Sequence, residues 1–249
     1  MNVDDYIAAA IEAFYSRTAD DWRALLDRAL TLKLNMAERG AVLSYKAQYT
    51  FHLSGYTDEV RELAEESLAL LEESAEDPFS WALSAGLVAH LVRETDPERA
   101  ARLRTGVVGF VEEYVASEDA VPGWVLTLCR AAALCCRDTR DFAAAAKWLQ
   151  RGLPENVGTE HADVIVALAG DLDALQRYDE AEDLLLNMEA CLACIVPPPA
   201  NRYWEHEVQM GRAIVVANRG EYEKAREILE TLVANQPRVT FTIGRACFT

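Results

Sequence analysis

The chain has 249 residues, 51% of them hydrophobic, which suits one or two globular domains or a single elongated repeat array. Its 41 acidic and 24 basic side chains leave a formal charge of −17. The Lys and Arg are scattered singly, so nucleic-acid backbones and anionic membrane surfaces are repelled.

No apolar run approaches the roughly 20 residues that span a bilayer. The acidic start Met1-Asn2-Val3-Asp4-Asp5 is unlike a signal peptide. The six cysteines, with Cys135 and Cys136 adjacent, read as free thiols of a reducing, cytoplasmic setting.

In chain order, the apolar residues recur with helical period, as in the stripe Val3, Tyr6, Ile7, Ala10, Ile11 and Phe14. First helices are predicted near 3–16, 37–54, 79–93, 122–137, 160–176 and 202–219. Second helices follow near 20–34, 57–75, 97–117, 141–153, 178–192 and 221–235, giving about six hairpins. Every proline lies between these runs, and Asp77-Pro78 and Asp96-Pro97 read as an N-cap followed by the first helical residue.

Near the end of the chain, Gly220-Glu221-Tyr222-Glu223-Lys224-Ala225 is followed by Leu229, Leu232 and Pro237. This resembles the second half of a tetratricopeptide repeat (TPR): a glycine ends the first helix, an aromatic follows, a small residue lets the two helices approach, and a proline stops the second. Arg177-Tyr178-Asp179-Glu180-Ala181 repeats most of it, with arginine in the glycine's stead. Asp141 to Ala145 is a third copy, Gly55 to Val60 a looser one, and Asp96 to Ala100 and Asp20 to Ala24 are weaker. Aligned on the small position, residues 24, 60, 100, 145, 181 and 225 are spaced by 36, 40, 45, 36 and 44. These uneven periods exceed the usual 34. They are similar to the long repeats of bacterial maltose-activator-type regulators. The resemblance implies an all-α fold, an α-solenoid of about six stacked helix hairpins in a right-handed superhelix. It covers residues 1–237 as one array, and residues 238–249 form a C-terminal tail that alternates like a strand.

Catalytic chemistry is hard to find. No phosphate loop or nucleophile elbow occurs, and His206-Glu207 lacks the second histidine of a zinc-protease motif. Cys191-x-x-Cys194 has no partner pair for a structural zinc site, and it reads as two thiols of an apolar helix. Cys129 and Cys136 share a helix face and read as core. His52, His90, His161 and His206 lie far apart and read as singly satisfied histidines. No catalytic residue, metal ligand or cofactor is expected.

In TPR arrays the first helices line a concave groove. Carried over, the resemblance places Tyr45, Tyr49 and His52 there from the second hairpin, and Arg130 from the fourth. From the fifth and sixth it places Asp163, then Glu207, Met210 and Asn218. Tyr45, Tyr49 and His52 also follow core spacing. Asp163, Val166, Gly170, Glu207, Met210 and Ile214 stand where a carboxylate-binding clamp would need Lys, Asn and Arg, which argues against acidic peptide ends as ligands. The acidic helix near 57–75 reads first as a solvated outer face, and second as a docking surface for a basic partner. The expected role is a non-enzymatic scaffold or adaptor that binds a peptide or helix of another protein in its groove. The alternatives are a ligand- or peptide-sensing regulatory module and a chaperone for a secreted client.

Overall fold

The computed structural model describes residues 2–16, 21–194 and 203–234, so the tail at 238–249 lies outside the described residues. Among them, twelve α-helices and one 3-10 turn at Thr159–His161 account for the regular structure, with no strand. The helices are α1 (Val3–Ser16), α2 (Asp21–Leu30), α3 (Met36–Ser54), α4 (Asp58–Ser74), α5 (Pro78–Val92) and α6 (Pro97–Ala116). They continue as α7 (Pro122–Arg137), α8 (Phe142–Gly152), α9 (Ala162–Ala174), α10 (Tyr178–Ala193), α11 (Tyr203–Asn218) and α12 (Tyr222–Ala234). The sequence-predicted helix near 160–176 is shorter as α-helix, because its first turn is the 3-10 segment.

Local chemistry sets several of the starts. Asn35 and Glu38 form a capping box at α3. Thr57, Asp77, Asp96 and Asp141 each accept an otherwise orphaned amide of the helix that follows. Pro78 and Pro97 then occupy the first helical position, as the sequence predicts.

Four of the turns that lead into second helices share one backbone device. Gly55, Arg140, Gln176 and Gly220 have φ of 66°, 60°, 60° and 96°. Each precedes its buried small-position residue, Val60, Ala145, Ala181 or Ala225, by five places. The residue that stands in for glycine before α10 is therefore Gln176, one place ahead of Arg177. The weakest copy is out of register, since Ala24 is exposed while Trp22, Leu26 and Ala29 are buried.

The described residues form two compact units, one reaching Asp138 and the other starting at Thr139. In the first, α1/α2, α3/α4 and α5/α6 pair as hairpins. The helices α1, α3, α5 and α7 pack side by side, and α2, α4 and α6 each also touch the next hairpin's first helix. In the second unit α8 packs on α9, α9/α10 and α11/α12 pair, α10 touches α11, and α9 lies against α11. Stacking of this kind buries the faces that single hairpins leave open.

The core of the first two hairpins is aromatic. Phe14 stacks on Tyr49 at 4.1 Å, and Trp22 meets both edge-on. The next hairpin is built on small residues: α5 is buried along nearly its whole length, with Ala82, Ala85, Gly86 and Ala89 among its residues. Gly40 on α3 lies so near α4 that a Cβ there would fall 2.7 Å from Leu71 Cγ.

Candidate interaction surfaces

The first helices carry all eight residues that the resemblance places in a groove. On α3, Tyr45 is half-buried and tilted against Tyr49 at 6.0 Å, while Tyr49 is 6% exposed and stacked on Phe14. Packing thus engages the Tyr49 ring, and Tyr45 keeps part of its own open. His52 is exposed, one turn further along α3. Arg130 of α7 approaches it, Nη2 to Nε2 at 3.1 Å, across 78 residues of sequence. Helices α3 and α7 flank α5 on the first-helix side, and this contact joins them over it.

In the second unit, Asp163 is half-buried at the start of α9, where its side chain accepts from the Val164 amide at 2.8 Å. On α11, Glu207 is half-buried, Met210 is 36% exposed, and Asn218 is exposed. Asn218 donates to Asp173 Oδ2 at 2.7 Å, so it ties the end of α11 to the end of α9. Burial raises the Asp173 carboxyl above its ordinary range, against the Asn218 hydrogen bond.

Sequence reasoning missed two polar networks. His90, 5% exposed on α5, bonds through Nδ1 to the buried Asp138 and through Nε2 to the Tyr56 hydroxyl. Arg93 donates to the Tyr56 oxygen at 2.6 Å. Tyr56 and Asp138 lie 34 and 48 residues from His90, about one repeat to either side. That spacing was the available signal. In the second unit Glu182, 6% exposed on α10, meets Arg219 at 2.6 Å and Lys224 at 2.8 Å. Burial works to raise this carboxyl, and the bonds from Lys224 and Arg219 overcome it and hold it below the usual carboxylate range.

The acidic run of α4 is partly neutralised from outside its own sequence. Glu59 pairs with Arg23, Glu66 with Arg39 at 3.0 Å, and Glu65 with Arg99 at 2.6 Å. A further feature lies where α5 begins: Phe79 contacts Phe110 and Tyr114 of α6 and Trp124 of α7, with ring centroids 5.8, 4.9 and 4.8 Å away. All four rings are half-buried.

The thiols divide by depth. Cys129 and Cys135 are buried, Cys136 and Cys191 half-buried, and Cys194 exposed. Cys135, rather than Cys136, is thus the second core cysteine of α7, and burial pushes its thiol up to about 12. No group of three or more metal-ligating side chains gathers among the described residues. No described helix is long and apolar enough to cross a membrane.

Among solved structures, the chain is similar to a kinesin-light-chain-type protein of Podosopora anserina with nearly identical TPR-like repeats. Identity is 19% and the TM-score 0.56, over 82% of this chain and 96% of that one. A point variant of the same protein gives 18% and 0.57 over the same shares. BtubC (BKLC) from P. vanneervenii matches at 16% identity and TM-score 0.51, over 100% of this chain and 99% of that chain. The fold is TPR-like. No family model and no curated protein matches the sequence. The likeness to maltose-activator-type regulators finds no counterpart in these neighbours, and rests on repeat length alone.

Proposed function

We propose that the protein is a non-enzymatic scaffold that holds a peptide or helix of another protein on the side that the first helices line in each unit. The supporting observation is the character of that side. Tyr45, His52 and Arg130 in one unit, and Glu207, Met210 and Asn218 in the other, keep aromatic, cationic, acidic and thioether groups at least partly open on helices fixed by packing. Rigid presentation of mixed polar and apolar groups suits the binding of an extended segment. Tyr49 supports Tyr45 from the core, and Asp163 adds a carboxylate at the start of α9.

The test is site-specific photo-crosslinking in native lysate. A photoreactive residue replaces Tyr45 or Met210, and a control replaces Arg226 on α12, which is 63% exposed. One protein captured from Tyr45 or Met210 and not from Arg226 supports the reading, and capture from Arg226 alone overturns it. A second reading, a ligand-sensing regulatory module, draws on the uneven repeat lengths. It requires a small molecule that changes the chain's thermal stability in the absence of any partner.

A further inference from the structure

Two stretches of the chain, 62–92 and 105–129, contain no Lys or Arg. They supply most of α4, all of α5, the second half of α6 and the start of α7, and the Phe79 cluster is where they meet. Six carboxylates frame those rings along the chain. Glu73 and Glu76 come shortly before Phe79, and Glu112 and Glu113 lie between Phe110 and Tyr114. Glu118 and Asp119 belong to the turn whose Val121 amide donates to the Tyr114 hydroxyl at 2.9 Å. All six are exposed, and none forms an ion pair among the described residues. Val121 beside them is 53% exposed, and Leu71, Glu72, Ala75, Asp77, Pro78 and Trp81 line a shallow slot between the end of α4 and the start of α5.

Elsewhere the chain covers such features with its own arginines. Arg93 sits over the Tyr56 ring at 5.6 Å and Arg151 over Trp148 at 5.4 Å. Upstream on α4, Arg23, Arg39 and Arg99 take the carboxylates. At the Phe79 cluster the rings and the acids are both present, and the basic-free stretches offer no cation of their own.

We infer that this edge of the first unit binds a basic segment of a partner protein, with arginine side chains against the open ring surfaces and neighbouring cations on the carboxylates. A guanidinium over an aromatic face gains from the ring quadrupole, and the surrounding carboxylates steer it and raise its local concentration. The slot accepts an aliphatic residue of the same segment against Pro78 and Trp81, beside Glu72 and Asp77. Phe79 and Trp124 stand at the starts of the first helices α5 and α7, but the cluster contains none of Tyr45, His52 and Arg130, so the inference does not depend on the reading proposed for them.

The probe is a fluorescein-labelled peptide alternating Arg with Leu and Pro, followed by anisotropy at moderate salt. Two comparison peptides replace Arg by Glu, or keep the charge with Lys and Gly alone. Four variants are compared, each checked by a thermal melt: Glu112→Gln/Glu113→Gln/Glu118→Gln/Asp119→Asn at the edge, Trp124→Leu, Tyr45→Ala in the groove, and an equal charge change elsewhere, Asp183→Asn/Glu223→Gln/Glu227→Gln/Glu230→Gln. The expected result is binding about tenfold weaker in the edge quadruple and in Trp124→Leu, with Tyr45→Ala and the distant quadruple within about twofold of wild type. Equal weakening in both quadruples, or equal binding of the Lys/Gly peptide, would show bulk charge attraction and overturn the assignment. So would wild-type binding by both edge variants, or no binding of the Arg peptide at all.

Discussion

Gln176 does before α10 what Gly220 does before α12, and it does so with a side chain in the left-handed region. A residue with a Cβ is strained there by about 1–2 kcal/mol, which glycine avoids. Gln176→Gly should therefore raise stability by about 1 kcal/mol and Gly220→Ala lower it by a similar amount, both measurable by chemical denaturation. Asp173 is a second strained residue, of an electrostatic kind. It is 8% exposed near the C-terminal end of α9, and its Oδ1 has no partner. Its carboxyl is raised in the fold, so the folded state holds the proton more tightly than the unfolded chain. Ionisation above the ordinary value near 3.8 therefore works against folding at neutral pH. Asp173→Asn should stabilise the protein by on the order of 1 kcal/mol at pH 7. The gain should fade as the pH falls through the raised folded value and be gone below the ordinary value. Neither residue was legible in the sequence: a glutamine carries no turn signal, and an aspartate on a helix reads as solvated.

At the scale of elements the sequence was far more informative. Proline breaks, aspartate caps and apolar periodicity placed the helices to within a few residues, because each signal is local. What joins one repeat to the next was hidden, since it depends on which faces meet. Tyr56, His90 and Asp138 read as unrelated polar residues until α5 and α7 are side by side. The residues proposed for a groove were legible as positions on first helices, but not in their depth: Tyr49 went to the core and Tyr45 stayed half open. The same holds for Glu182, which looked like one more acidic residue and ties α10 to α11 and α12. Its lowered carboxyl contributes stability that is present above the ordinary value near 4.5 and lost as the pH falls through the lower, folded value. Glu182→Gln should flatten the acid limb of the stability–pH curve and lower stability at pH 7 by about 1–2 kcal/mol, since Arg219 and Lys224 are partly exposed and keep Asp179 and Glu221 as partners. Denaturant midpoints across pH 3 to 7, read with the variant beside the wild type, test both statements.

Over the whole molecule the charge of −17 sets two opposing effects of salt. Screening weakens ion pairs such as Arg39–Glu66 and Arg99–Glu65, whose partners are one-third to one-half exposed and so contribute little each. It also relieves the repulsion among the surplus carboxylates, which acts over the whole surface. The second effect should win, so the melting temperature should rise as NaCl goes from low to moderate concentration. The arrangement of helices has a different consequence. Helix α5 touches α3, α4, α6 and α7 and is buried along almost its full length. Its amides meet water only once those neighbours have moved away. Deuterium should therefore enter α5 last in the first unit, at a rate set by opening of that unit as a whole. A proline placed in α5 would turn the first unit's single transition into fraying segments, whereas one in α2 would leave the rest of that unit's protection unchanged.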